Sequence, residues 1–291
     1  MVFFYLIIFS VVNFCYIEIW KKFLDKVPTG IGILLIIPVS YYIENLYLIN
    51  LILIIIFSLI YFLDDLIEIN FLWRIVLQIL ASLVIYFSFT MSLNFTIIFL
   101  NICAFIILMN SLNFQDGEDL NITTLLFIIF SIFYFYSENY FIQNTSEIIL
   151  IFLISFSFFN LKKNNLYLGD SSCYLFSIIF FLFVFEEIHN TTLIKLLIAT
   201  VFYPIIDLFY VVFYRIIKKE NLLSRNYLHL YQIIAKKFNL KFYLLPNVLF
   251  PILNIFFSQY FNLGINLIIF LFVINIILLF LIRLAIIELF N

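Results

Sequence analysis

The chain alternates between long apolar runs and short polar breaks. Apolar runs of this kind predict membrane-spanning α-helices, each of which needs about 20 residues. The second and seventh runs are short for a span, so about ten to twelve spans fit the pattern. We therefore predict an all-α, polytopic transmembrane helical bundle of about 10–11 spans. The predicted spans are residues 2–20, 31–43, 46–63, 72–90, 95–109, 122–136, 148–159, 171–185, 192–214, 242–261 and 263–282.

The composition indicates the same class of protein. Of the 291 residues, 66% are hydrophobic and 11% are charged, and the mean hydropathy is +1.20. No soluble domain needs so much apolar surface. The three cysteines lie in or beside apolar runs, which indicates packing residues and neither a disulfide framework nor a metal site. We expect one integral-membrane domain, residues 1–291, whose first run is a span and not a signal peptide.

The basic residues indicate the orientation. With about eleven spans, every Lys and Arg except Lys195 falls on one side, which the positive-inside rule makes cytoplasmic. The polar breaks after the third, fifth, seventh and ninth spans all face that side. The positive-inside rule constrains only the basic residues, yet the acidic residues of these breaks fall on the same cytoplasmic side. This convergence predicts a composite site, with carboxylates and cations, at the cytoplasmic membrane surface.

The most acidic break is the segment 110–121, which reads NSLNFQDGEDLN. It contains three acids and no base, and Gly117 gives its backbone unusual freedom. In so apolar a chain, acids clustered at a membrane boundary indicate a functional site. The alternative is a solvated loop whose Asn and Asp side chains cap the next helix.

A second acidic pair, Asp64 and Asp65, lies at the C-terminal end of an apolar run. The helix dipole is negative there, so two adjacent carboxylates are poorly placed by about 0.3–1 kcal/mol each. The pair therefore calls for a cation, and Mg²⁺ with oxygen ligands is the natural one. Glu68 adds a third acid. The alternative is an exposed acidic loop.

Asp170 lies in the sequence Tyr-Leu-Gly-Asp-Ser-Ser, immediately before an apolar run. Asp and Ser are favoured helix caps, which would explain the motif without a function. A helix N-terminus with small residues also favours phosphate oxygens or a carboxylate beside a metal. Both interpretations remain open at this point.

Asp207 falls inside the ninth predicted span, where a carboxylate costs a few kcal/mol unless it is paired. Arg215, two helical turns later, is a candidate partner, and a buried structural pair competes with a catalytic role. His229 lies in the basic segment 215–241, where a lone histidine is usually solvated. That segment is partly amphipathic and fits either positive-inside anchoring or contact with lipid headgroups.

Taken together, these stretches resemble the polyprenyl-phosphate N-acetylhexosamine-1-phosphate transferases, glycosyltransferase family 4. The family includes the undecaprenyl-phosphate GlcNAc-1-phosphate transferases and the muramoyl-pentapeptide transferase. The resemblance covers about residues 28–229, and the motifs occur in the family's order. The residues that carry it are the segment 27–32, then Asp64, Asp65, Glu68, Arg74 and Gln78, then Asn110, Asn113, Asp116, Gly117 and Asp119, then Asn160, Tyr167, Gly169 and Asp170, and finally Pro204, Asp207, Arg215, Arg225 and His229.

The chain differs from the family pattern at several positions. Leu120 replaces a glycine, and Arg74 stands where the family usually has lysine. The family's first polar loop is reduced to residues 21–27, and the histidine-rich motif retains only His229.

The resemblance implies transfer of a sugar-1-phosphate, expected to be an N-acetylhexosamine, from a UDP-sugar to undecaprenyl or another polyprenyl phosphate. UMP is released, and the product starts a cell-envelope glycan such as lipopolysaccharide or cell-wall polysaccharide. It implies that Asp170 and Asp65 bind Mg²⁺, with Mn²⁺ as an alternative. Asp64, Asp65, Arg74 and His229 are the expected catalytic residues. The expected substrate-binding residues are Asn110, Asn113, Asp116, Asp119, Asn160, Tyr167 and Arg225.

The resemblance also implies a location and partners. The chain is expected to be a multi-pass protein of the bacterial inner membrane, with a cytoplasmic active site. Its partners would be the UDP-sugar, the polyprenyl phosphate and membrane lipids, without nucleic acid, and a homodimer is compatible with so apolar a chain. Two alternatives remain: a transporter with an acidic cytoplasmic vestibule, or an impaired relative that binds lipid phosphate or nucleotide.

Overall fold

A computed structural model describes residues 2–24, 26–43, 48–67, 69–161, 166–222, 227–238, 241–262 and 264–289. Across these residues all the regular structure is helical, which confirms the all-α class. The chain divides into two compact units, Met1–Asn190 and Thr191–Asn291, each described below by itself. The expectation of a single functional domain stays a prediction.

Within the described residues, the first unit contains eight α-helices. They are α1 Val2–Phe23, α2 Ile36–Ile43 (preceded by a 3₁₀ turn, Ile31–Leu35), α3 Leu48–Ile67, α4 Phe71–Phe89, α5 Phe95–Asn113, α6 Asn121–Tyr136, α7 Tyr140–Asn160 and α8 Gly169–Glu186.

In the second unit, the described part of the chain forms four α-helices. They are α9 Thr191–Ile217, α10 Leu230–Lys237, α11 Pro246–Ser258 (preceded by a 3₁₀ turn, Lys241–Leu244) and α12 Ile265–Leu289.

The number of apolar helices agrees with the hydropathy pattern. Within the described residues, nine helical segments are long and apolar enough to cross a membrane, and two shorter apolar helices, Ile31–Tyr41 and Asn121–Tyr136, complete the predicted set. Helix ends differ from the predicted spans by a few residues. The third run extends to Ile67, so Asp64 and Asp65 lie within the last turn of α3. The seventh begins at Tyr140, and is therefore long enough to span.

Helix α8 is the centre of the first unit. Every residue from Ser171 to Phe183 is buried, and the helix packs against α3, α4, α5 and the 3₁₀ turn Ile31–Leu35. A helix surrounded by protein has no polar face to present, which fits its uniformly apolar sequence. Hydrogen bonds join residues at the C-terminal end of α3, after α5 and at the end of α7 to the N-terminal end of α8 or the start of α6. The candidate residues of this unit are at that end.

Candidate functional site

The N-terminus of α8 is capped by carboxylates from elsewhere in the chain. Asp65 Oδ1 accepts a hydrogen bond from the Asp170 backbone N–H (2.9 Å), and its Oδ2 accepts from the Ser171 N–H (3.1 Å) and hydroxyl (2.6 Å). Asp116 accepts from the backbone N–H groups of Gly169 (Oδ2, 2.7 Å) and Leu168. These are donors that a helix cannot satisfy internally. Of the two interpretations of the Asp170 motif, local capping is not what the structure shows, since the N-cap residue is Leu168 and makes no side-chain cap.

The segment 27–32 lies directly against this helix start. Gly30 N–H donates to the Leu168 carbonyl (2.8 Å), and Tyr167 N–H donates to the Pro28 carbonyl (2.9 Å). Gly30 and Gly169 both have φ of 77°, in the left-handed region that favours glycine. The two backbones approach so closely that a Cβ on Gly169 would lie 2.6 Å from the Gly30 nitrogen. The glycines therefore allow the backbones around Gly30 and Gly169 to pack directly against each other.

Arg74 connects two of the acidic motifs. Its Nη2 lies 2.8 Å from Asp64 Oδ1, and its Nη1 lies 3.0 Å from Asp170 Oδ2. The Asp64 side chain is fully buried and also accepts from the Ile69 N–H at 2.6 Å, whereas the side chains of Asp170 and Arg74 remain 28% and 26% exposed. Asp64 therefore reaches the site through Arg74, while Arg74 and Asp170 are open to a ligand.

The asparagines around the site differ in what they contact. Asn110 donates to Gln78 Oε1 (3.1 Å), and Asn113 donates to the Tyr174 hydroxyl (3.4 Å). Asn160 is buried and joins two loops, because its Oδ1 accepts from the Leu120 N–H (2.5 Å) and its Nδ2 donates to the Leu166 carbonyl (2.6 Å). In this geometry Asn160 orders the site, and its contact with substrate stays a prediction.

Leu120 is one of the positions at which the chain differs from the family pattern. Its φ of 62° lies in the left-handed region, where the family has glycine. A leucine there carries strain of about 1–2 kcal/mol. We therefore expect Leu120→Gly to be about 1 kcal/mol more stable than Leu120→Ala, since both variants lose the same side-chain contacts but only glycine relieves the strain. Thermal unfolding of the two variants in detergent measures the difference, and equal stabilities would contradict the strain.

Asp116 is surrounded by other carboxylates. Its pKa is raised from 3.8 to about 8, chiefly by burial; the N–H groups of Gly169 and Leu168 lower the pKa, and the carboxylates of Asp170 and Asp65 raise it. A raised pKa is the response expected where several carboxylates lie close together without a cation between them. Tyr167 lies nearby, and its pKa is raised by burial and by the carboxylates of Asp119 and Glu118.

This shift predicts a pH dependence of stability. The folded chain binds the Asp116 proton more tightly than the unfolded chain, whose pKa is near 3.8. The resulting stabilisation is complete below about pH 4 and is lost as the pH rises through about 8. In metal-free buffer, we expect the unfolding temperature of the wild type to fall between pH 5 and pH 8 by more than that of Asp116→Asn. Parallel curves for the two proteins would contradict the shift.

The donor chemistry of this cluster suits a hard divalent cation. Asp65, Asp116 and Asp170 supply carboxylate oxygens, which Mg²⁺ prefers, and their mutual repulsion would be relieved by added positive charge. Asp64 is compensated by Arg74 through Oδ1, while its Oδ2 is buried without a hydrogen-bond partner. Within the described residues, however, no group of three His, Cys, Asp or Glu is already arranged as a metal site. Both Asp65 oxygens bind α8, so Asp170 is the more accessible of the two expected ligands.

Three further candidate residues lie outside the described part of the first unit. Glu68 and Arg225 are outside the described residues. His229 belongs to the second unit, where it is buried (2% exposed) and its Nδ1 lies 2.9 Å from Asp207 Oδ2. The expectation of a solvated histidine is therefore wrong, because a buried carboxylate binds it.

Asp207 has partners that the sequence did not indicate. Arg283 Nη2 lies 2.9 Å from Asp207 Oδ1, while Arg215 lies 3.5 Å from Glu220 and binds the backbone of Asn221 and Leu222. The proposed Asp207–Arg215 pair is thus replaced by an Asp207–Arg283 pair. The sequence feature that indicates this pair is Arg283, an arginine within the otherwise apolar helix α12.

Two serines were also missed as site residues. Ser171 donates to Asp65, and Ser172 Oγ accepts from the Gly32 N–H at 2.8 Å. Their sequence signal was their position directly after Asp170, which was interpreted as local capping.

Comparison with known families gives an independent result. The family model described as glycosyl transferase family 4 matches residues 47–187. The matched region runs from the start of α3 to the end of α8 and contains Asp64, Asp65, Arg74, Asp116 and Asp170. Over these residues it confirms the resemblance that the motifs indicate, whereas the segment 27–32 and the second unit lie outside the match. No curated protein matches the chain.

Proposed function

We propose, from the membership of residues 47–187 in glycosyl transferase family 4, that this chain transfers an N-acetylhexosamine-1-phosphate from its UDP derivative to undecaprenyl or another polyprenyl phosphate. The family implies a polyprenyl-phosphate sugar-1-phosphate transferase in general. The observation that carries the finer proposal is the convergence of Asp65, Asp116, Asp170 and Arg74 at the N-terminus of α8.

The reaction joins two anions. A phosphate oxygen of the lipid attacks the phosphorus attached to the sugar, the bond from that phosphorus to the bridging oxygen breaks, and UMP leaves with the bridging oxygen. A phosphate monoester is largely ionised at neutral pH, because its second pKa is about 6. A strong base is therefore unnecessary, and alignment with charge neutralisation dominates catalysis.

The residues of the first unit divide these tasks. Arg74 is open to solvent and offers a cation to phosphate oxygens, while Asp64 holds its guanidinium in place. Asp65 fixes the first turn of α8 and so the position of Asp170. Mg²⁺ or Mn²⁺, held by Asp170 and Asp65, would supply the charge that brings a diphosphate to so acidic a cluster.

The substrate would be bound by the surrounding loops. We assign the nucleotide to the acidic segment, through Asp116 and Asp119, with Tyr167 stacking on uracil. Asn110, Asn113 and Asn160 support this binding, and Arg225 and His229 are assigned to phosphate oxygens. We place the reaction at the cytoplasmic face of a bacterial inner membrane, where the positive-inside rule puts these loops.

The test is UMP release by the purified protein in detergent. UDP-sugars with different N-acetylhexosamines are supplied with and without undecaprenyl phosphate, and with Mg²⁺, Mn²⁺ or a chelator. We expect UMP only when donor, lipid phosphate and a divalent ion are all present. Nucleotide or lipid-phosphate binding without UMP release would favour an impaired relative. Movement of substrate across proteoliposomes without chemistry would favour a transporter.

A further inference from the structure

The buried carboxylate of Asp207 is a junction in the second unit. Asp207 lies in α9 with 0% exposure. Its Oδ2 binds His229 Nδ1 (2.9 Å), its Oδ1 binds Arg283 Nη2 (2.9 Å), and both oxygens accept from the Leu230 N–H (3.1 and 3.3 Å). One carboxylate therefore joins α9, α12 and the start of α10.

Arg283 is held on three sides. The same Nη2 that binds Asp207 donates to the Leu228 carbonyl at 2.9 Å, and the guanidinium lies 4.0 Å from the ring centre of Tyr210. Arg283 thus contacts both the carboxylate that binds His229 and the residue that precedes His229. A planar guanidinium can make such contacts at once, which a lysine cannot reproduce.

His229 is fixed in orientation by these contacts. It is the N-cap of α10, and its own N–H donates to Gln232 Oε1 at 3.2 Å. Because a carboxylate only accepts hydrogen bonds, Nδ1 carries the hydrogen in the bond to Asp207. Nε2 is then the ring nitrogen left for the phosphate oxygen that the proposed function assigns to His229, to which it donates when both ring nitrogens carry a hydrogen.

We propose that Arg283 is a positioning residue that sets the orientation of His229 through Asp207 and the Leu228 carbonyl. The consequence for phosphate binding rests on the proposed function, whereas the positioning itself does not. Arg283 touches no reacting atom in this scheme, so its removal should change the rate of transfer only through His229.

The first experiment needs no catalytic activity. The chain has two histidines, and His189 is exposed while His229 is 2% exposed. With diethyl pyrocarbonate and mass spectrometry, we expect His229 of the wild type to react at least about tenfold more slowly than His189. In Arg283→Met, the rate at His229 should rise toward that of His189. Continued protection of His229 in that variant would overturn the proposal.

The matched control is Lys195→Met. Lys195 is also a cation within an apolar helix of the same unit, but its Nζ donates to the Phe261 carbonyl (2.6 Å) and it has no contact with Asp207 in the hydrogen bonds described. It should leave His229 protected. If Arg283→Met does not fold, Arg283→Lys is used instead. It keeps the positive charge but not the planar guanidinium, so we expect a labelling rate of His229 between that of the wild type and that of His189. Full protection in Arg283→Lys would count against the proposal.

The second experiment uses UMP release. Arg283→Met and His229→Gln should each lower kcat/KM by about 10- to 100-fold. The double variant should be no slower than His229→Gln, since residues that act as a unit are not additive. Independent, multiplicative losses would overturn the proposal. If the wild type released no UMP, the proposed transferase would fail, while the labelling of His229 would still decide the positioning role.

Discussion

Replacing Gly169 with alanine is expected to lower the free energy of unfolding by about 2–5 kcal/mol and to abolish sugar-phosphate transfer. Gly169 has φ of 77°, and a Cβ there would lie 2.6 Å from the Gly30 nitrogen and 2.8 Å from Asp65 Oδ1. Neither neighbour can move cheaply, because one is backbone and the other caps α8. Backbone strain and displacement of the site therefore act together.

Gly264→Ala is the matched control for this prediction. A Cβ at Gly264 meets nothing within 4 Å, so its effect should stay within about 0.5 kcal/mol. Thermal unfolding in detergent and UMP release are measured for both variants. If Gly169→Ala were as stable and as active as Gly264→Ala, the close contact of the two glycine segments would be refuted.

Removal of the Arg74 charge is expected to lower both the free energy of unfolding and the rate of UMP release. Arg74→Met leaves the Asp64 carboxylate, whose side chain is fully buried, without its ion pair. Breaking a buried pair from one side costs about 3–5 kcal/mol, and the partial exposure of Arg74 places the expected loss near the lower end. The site also loses its cation beside Asp170, so UMP release should fall with stability.

A double-mutant cycle identifies the cause. Asp64→Asn removes the buried charge, so it should partly restore the stability of Arg74→Met, with a coupling of at least about 1 kcal/mol. Arg74→Lys, the family's usual residue, should be intermediate because it keeps the charge but not the bridge between Asp64 and Asp170. Additive losses in the cycle would show that Arg74 acts without Asp64.

The apolar pattern predicted the helices of this chain well. Spans in lipid must satisfy their backbone internally, so long apolar runs leave few alternatives to helices. The pattern also predicted that Asp64, Asp116 and Asp170 lie at one end of the first unit. Each of them lies in a polar break that follows an odd-numbered predicted span. Helix ends were predicted less well, since polar residues such as Asn113 continue a helix past its apolar part.

Contacts between distant segments were not predictable in the same way. Capping rules concern residues near the helix start, so they offered Asp170 as a cap of α8, while Asp65, which accepts from its first turn, lies 105 residues away in sequence. Asp207 was paired with nearby Arg215 for the same reason, whereas Arg283 is 76 residues away. Leu120 was recognised as a departure from the family's glycine, but only its backbone angle shows the consequence.

Asp170→Asn tests most directly whether the carboxylates at the start of α8 carry out sugar-phosphate transfer. UMP release from a UDP-N-acetylhexosamine and undecaprenyl phosphate is compared for wild type, Asp170→Asn and Glu138→Gln, an exposed acid in the turn at the opposite end of α6. We predict a fall of at least about 100-fold for Asp170→Asn at unchanged unfolding temperature, and wild-type activity for Glu138→Gln. Undiminished turnover by Asp170→Asn would contradict the account.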